Sequence, residues 1–176
     1  DIVRDVNKLS NNVMASQLFL ALAAAERPLP ATPQKSAAVI KRWLAHEKIA
    51  MPELVISNGS GLSREDRVSA RSLARLLASA DAGPLRDEFA SSLAVAAIDG
   101  TVQRRFRNGD VAGQALLKTG SLEGVRALAG YVIDAQGTRW IVAAIVNHPH
   151  AASAQPALDA LVQWTYSNAN VMSHGH

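Results

Sequence analysis

Residues 115–147 read ALLKTGSLEGVRALAGYVIDAQGTRWIVAAIVN, and this stretch decides the fold class. It holds three β-leaning segments, ALLKTGS (Ala115 to Ser121), RALAGYVIDA (Arg126 to Ala135) and TRWIVAAIVN (Thr138 to Asn147). Gly124 separates the first two, and Gln136-Gly137 within DAQGT reads as a hairpin turn between the second and third. An antiparallel sheet of about three strands is therefore expected.

Outward from the meander, the pattern is helical. Residues from about Gln155 to Asn168 form an amphipathic segment whose Ala157, Leu158, Leu161, Val162 and Tyr166 can pack on the sheet. Toward the N-terminus, Asn11 to Glu26 is rich in strong helix formers, opens on Ser and Asn, and is stopped by Pro28 and Pro30. That helix is nearly apolar, so burial is expected. Thr32-Pro33 starts a second helix with a capping hydroxyl and a proline at the first helical position, followed by Ala37, Ile40, Leu44 and Ile49. LVIS (Leu54 to Ser57) reads as a short strand, and Asn58-Gly59-Ser60-Gly61 as a tight turn. Two more helices are expected from about Val68 to Ala80 and from Pro84 to Ala96. Helices followed by a meander and a closing helix make an α+β architecture in one domain, without internal repeats or an interdomain linker.

Composition narrows the function classes. The net charge is +3, and the 18 Lys and Arg residues are scattered, so no nucleic-acid surface is indicated. The densest basic cluster, Arg104 to Arg107, reads as an exposed turn, because only 5% of the chain is aromatic and stacking platforms are lacking. The absence of cysteine excludes disulfides, thiolate catalysis and cysteine-bound zinc. The longest apolar run, Leu18 to Ala25, is far shorter than the roughly 20 residues that cross a bilayer. The chain opens at Asp1 with no initiator Met, and a removed upstream portion is expected.

Two tripeptides carry the chemistry. Ser10-Asn11-Asn12, taken alone, is a helix N-cap, since Ser and Asn oxygens accept from the unpaired amides of a first turn. Lys118-Thr119-Gly120, taken alone, is a strand end entering a turn. Together and in this order they resemble the second and third motifs, S-x-N and K-T-G, of the penicillin-binding, active-site-serine D,D-peptidases. The context agrees, with K-T-G after the apolar run Ala115-Leu116-Leu117 and S-x-N opening the most apolar helix. NGSGLSREDRVSARSLARLL (58–77), AIDGTVQRRF (97–106) and KTGSLEGVRALAGYV (118–132) extend the likeness through almost the whole chain. The group they resemble is the low-molecular-mass D-alanyl-D-alanine carboxypeptidase/endopeptidase of the peptidase S13, or penicillin-binding protein 4, type.

The resemblance implies a serine beta-lactamase/D,D-peptidase-like domain that hydrolyses peptidoglycan stem peptides through an acyl-enzyme and is acylated by β-lactam antibiotics. It implies a proton relay through the Ser10 hydroxyl and a grip by the Asn12 amide on a substrate carbonyl. Lys118 would place positive charge beside Ser10 and the substrate's terminal carboxylate, and the Thr119 hydroxyl would donate to that carboxylate. Gly120 would let the strand approach the ligand, and the Ser121 N–H would form half of an oxyanion hole, a contact worth about 3 kcal/mol. No cofactor, metal or nucleic acid is implied, and the location implied is the periplasm.

One departure matters as much. The first motif, S-x-x-K, carries the nucleophile, yet the residues three before Lys8, Lys35, Lys41, Lys48 and Lys118 are Asp5, Thr32, Ala38, Ala45 and Ala115. Thr32-Pro33-Gln34-Lys35 follows S-x-N instead of preceding it, and is explained as a helix start. Residues 1–176 are therefore expected to be the C-terminal portion of the catalytic domain, with the N-terminal portion of the same protein as a partner. Alone, the chain is expected to be inert and to expose apolar surface. The alternative is a penicillin-binding-like module that binds cell-wall peptides without turnover. His148, His150, His174 and His176 lack a companion carboxylate at metal-ligand spacing, and Ser60 and Ser63 lie in GSGLS, which is not the G-x-S-x-G nucleophile elbow.

Overall fold

The computed structural model describes residues 2–26 and 29–172, with side chains as far as residue 167. Helices α1 (Ile2–Leu9), α2 (Asn12–Ala25), α3 (Pro33–His46), α4 (Ala70–Ala82) and α5 (Arg86–Ser92) come first. Strands β1 (Ala94–Val95), β2 (Ala115–Leu122), β3 (Val125–Ile133) and β4 (Arg139–Asn147) follow, and α6 (Gln155–Met172) closes the described chain. Short 3-10 turns occupy Gly100–Val102 and Ala151–Ala154. Pro28, read as a helix stop, and the tail histidines His174 and His176 lie outside the described residues.

The sheet is antiparallel with order β1-β2-β3-β4. Its two faces follow from the period of two in each strand. Ala115 and Leu117 of β2, Leu128 and Val132 of β3, and Val142 of β4 are buried together with Leu158 and Val162 of α6. On the other face Leu116, Ala129, Tyr131 and Ile141 meet Leu77 of α4 and Phe89, Ala90 and Leu93 from α5 onward. The sheet is thus sandwiched between α6 and the helical cluster. The Tyr131 hydroxyl donates to the Leu77 carbonyl at 2.7 Å, which satisfies the polar end of a ring that is otherwise buried.

Four local expectations are corrected. The helix expected over Pro84 to Ala96 is only α5, because the chain turns extended at Leu93 so that Ala94 and Val95 can pair with Leu117 and Leu116. LVIS forms a single bridge, Val55 with Arg67, since among the described residues no neighbouring strand lies beside it. Ile49 lies beyond the end of α3, although it still packs with Leu44 and Leu54. Helix α2, expected to be buried, buries only Phe19 and Ala23, while Val13 is 72% exposed. Its remaining apolar surface has too few partners among the described residues to be covered.

Helix α1 was not foreseen: Ile2, Val3, Val6 and Leu9 recur at helical spacing among three charged residues, Arg4, Asp5 and Lys8, but eight residues are a short window for that pattern. It matters because it ends at Ser10. That residue adopts a left-handed backbone, φ 52°, which stops α1, and Asn11 then caps α2 by accepting from the Met14 N–H at 3.0 Å.

Candidate active site

β1 pairs only with Leu116 and Leu117, so among the described residues no strand covers the outer edge of β2 from Lys118 to Leu122. Alternation along β2 sends Thr119 to the same face as Leu117, toward the Gly100–Val102 turn, and sends Lys118 to the opposite face, toward α1 and α2. A cleft of about 550 Å³ opens along this edge. All six residues singled out from the sequence line it: Ser10, Asn12, Lys118, Thr119, Gly120 and Ser121.

The centre of the cleft joins residues 108 positions apart. The Lys118 ammonium donates to Ser10 Oγ at 2.5 Å and to the Thr119 carbonyl at 2.9 Å. An ammonium has three N–H donors, so one remains for a ligand. Burial pushes the Lys118 pKa below its ordinary range, and no carboxylate lies within ion-pair distance of it among the described residues. A partly desolvated cation without a counter-ion is an anion-binding group.

Asn12 is fixed from the other side. Its Nδ2 donates to the Ser60 carbonyl at 2.7 Å, which leaves one N–H and the side-chain carbonyl without a protein partner among the described residues. Ser60 can reach it because the 58–61 turn sits directly on α2. Gly59 has φ 71°, and a Cβ there would fall 2.4 Å from Phe19 Cβ, so only glycine permits this approach. Gly120 is also tight, since an added Cβ would meet Ala127 Cβ at 3.2 Å.

Sequence reasoning assigned no role to several cleft residues. The Thr119 hydroxyl bonds the Thr101 hydroxyl at 2.8 Å, and Arg105 and Gln155 also line the cleft. Arg105 corrects the reading of Arg104 to Arg107 as a solvated turn: its side chain is only 14% exposed because it pairs with Asp159 of α6. Arg104 and Arg107 are exposed as expected. Ser60, considered as a nucleophile, spends its hydroxyl on Asn58 Oδ1 at 2.7 Å, and its contribution to the cleft is its carbonyl. The relevant signals, AIDGTVQRRF and NGSG, were present as stretches, but the partners of Thr101 and Ser60 lie 18 and 48 residues away.

Away from the cleft, His148 and His150 are exposed, their rings 5.4 Å apart, and His148 Nδ1 accepts from the His150 N–H. No group of three or more metal-ligating side chains occurs among the described residues. None of the described helices is long and apolar enough to cross a membrane.

Known proteins place this architecture. The family described as D-Ala-D-Ala carboxypeptidase 3 (S13) matches residues 1–168. A D-alanyl-D-alanine carboxypeptidase of Haemophilus influenzae is 28% identical over 149 residues, which cover 84% of this chain and 31% of that protein. A D-alanyl-D-alanine carboxypeptidase of an Actinomadura species is 36% identical over 110 residues, 60% of this chain and 20% of that protein. Among solved structures, penicillin binding protein 4 of Haemophilus influenzae, complexed with a β-lactam, superposes with a TM-score of 0.81 at 24% identity, over 93% of this chain and 41% of that one. A predatory endopeptidase of Bdellovibrio bacteriovorus, acylated by penicillin G, gives 0.74 at 20% identity, over 95% and 45%. These two likenesses bear on the fold. The chain spans about a third or less of the curated relatives it matches. With the family matched over nearly its whole length, this chain belongs to the D-Ala-D-Ala carboxypeptidase 3 (S13) family.

Proposed function

We propose that the protein of which this chain forms part is a serine-type D,D-carboxypeptidase/endopeptidase that acts on peptidoglycan stem peptides in the periplasm and is acylated by penicillin. Residues 1–176 are the C-terminal portion of its catalytic domain in this reading. The observation that carries it is the 2.5 Å hydrogen bond from Lys118 to Ser10 in a cleft also lined by Asn12 and Thr119.

The chemistry follows from the donors and acceptors. The nucleophilic serine belongs to an S-x-x-K motif outside residues 1–176, since no lysine here has a serine three positions before it. The lysine of that motif takes the hydroxyl proton as the serine oxygen attacks the carbonyl carbon between the two D-alanines, and the C–N bond breaks as the terminal D-alanine leaves. Ser10 Oγ accepts from Lys118, so the hydroxyl's own proton is free for the departing amine, and Lys118 replaces it. The positive charge of Lys118 and the Thr119 hydroxyl hold the terminal carboxylate. Asn12 fixes a substrate carbonyl, and the Ser121 N–H contributes to the oxyanion hole. Water then hydrolyses the ester and regenerates the serine.

The test uses the full-length protein and a fluorescent penicillin. Stoichiometric covalent labelling is expected, together with release of D-alanine from a pentapeptide stem. Binding of the peptide without label and without release would leave the non-catalytic module as the correct reading.

A further inference from the structure

Thr119 has a partner in the cleft wall, the exposed Thr101. Thr101, whose hydroxyl it meets at 2.8 Å, belongs to the Gly100–Val102 turn, and that turn is fixed by three contacts. Val102 is fully buried in the core under α6. Gly100, with φ 57°, lies so close to the end of α1 that an added Cβ would sit 2.6 Å from the Lys8 carbonyl oxygen. Asp99 accepts from the Val95 N–H at 2.7 Å and forms an ion pair with Lys8. The end of α1 that leads into Ser10 therefore also braces the turn that carries Thr101.

Two hydroxyls 2.8 Å apart hold two protons and share one bond, so one proton is left over. No other hydrogen-bond partner of the Thr101 hydroxyl occurs among the described residues. An anion beside Lys118 accepts a hydrogen bond from the Thr119 hydroxyl, and the shared bond then reverses, with Thr101 donating to Thr119. A hydroxyl that accepts one hydrogen bond is a stronger donor in the next, because successive bonds polarise each other. A neutral amide group in the same place draws far less on this chain, since charge-assisted bonds are about twice as strong as neutral ones.

We propose that Thr101 is a positioning residue for substrate charge: acting through Thr119, it favours ligands that end in a carboxylate over the same ligands ending in a carboxamide. The inference rests on the function proposed above and names the group that sets its selectivity.

The experiment compares two peptides ending in D-alanyl-D-alanine, one with a free carboxylate and one with a carboxamide, on the full-length protein. Thr101→Val, nearly isosteric but without the hydroxyl, is expected to lower kcat/KM for the carboxylate peptide about tenfold, the upper end for one neutral hydrogen bond such as that between the two hydroxyls. The carboxamide peptide should change by no more than about twofold, and Thr101→Ser should restore the wild-type ratio. If turnover of the carboxamide is too slow to read, inhibition of penicillin acylation by each peptide gives the same ratio. Equal losses on both peptides, which a purely structural role would produce, overturn the inference, as does no loss on either. A wild-type protein that neither cleaves these peptides nor reacts with penicillin overturns the proposed function, and this inference falls with it.

Discussion

Ser10 occupies the left-handed region at φ 52°, a conformation that costs a non-glycine residue about 1–2 kcal/mol. The strain persists because α1 must stop and α2 must start within two residues, and it places Oγ against Lys118. Ser10→Gly removes both the strain and the hydroxyl. Thermal unfolding should therefore show a midpoint equal to or above wild type, while penicillin acylation of the full-length protein falls at least a hundredfold. Unchanged acylation would remove Ser10 from the relay. Lys118 carries a second test. Burial lowers its pKa, so between that lowered value and its ordinary value near 10.5 the unfolded chain binds more protons than the folded one, and stability rises with pH across that window. Below the window the folded protein bears the full cost of a buried charge. Lys118→Met is then expected to be at least as stable as wild type at pH 7, with its advantage shrinking toward pH 10, as urea denaturation across pH would show. A variant destabilised throughout would mean that the ammonium is compensated.

At the scale of the element, the meander was legible and its surroundings less so. β2, β3 and β4 were readable because their apolar residues alternate and glycine turns separate them. β1 was not, because two residues carry no periodicity and their extended form comes from pairing with Leu116 and Leu117. The candidate site divides similarly. The six motif residues were legible by resemblance, whereas Thr101 and the Ser60 carbonyl become visible only when the 3-10 turn and the 58–61 turn are folded against β2 and α2. That second contact is testable. Gly59→Ala puts a Cβ 2.4 Å from Phe19 and a side chain at φ 71°, so a loss of about 2–4 kcal/mol in urea unfolding is expected, with weaker acylation because Asn12 loses its anchor. A loss below about 0.5 kcal/mol would show that the turn does not rest on α2.

Across the whole molecule, the sheet is covered on both faces but the first two helices are not. Leu9 is 67% exposed and Val13 72%, both within three residues of the junction at Ser10. At roughly 25 cal/mol per Å² of apolar surface, such side chains favour coverage, and in the proposed reading the remainder of the catalytic domain supplies it. Residues 1–176 expressed alone should bind a hydrophobic dye strongly and fail to react with penicillin, whereas the full-length protein should do the reverse. The central claim is that this chain forms walls of an active site whose nucleophile lies elsewhere in the same protein. Peptide mapping of the full-length protein after labelling with penicillin tests it most directly, run in parallel on wild type and Lys118→Ala. The account predicts one acylated serine, outside residues 1–176 and three positions before a lysine, formed at least a hundredfold more slowly in Lys118→Ala. Label on Ser10, Ser60 or any other residue of this chain, or equal rates in the two proteins, would contradict it.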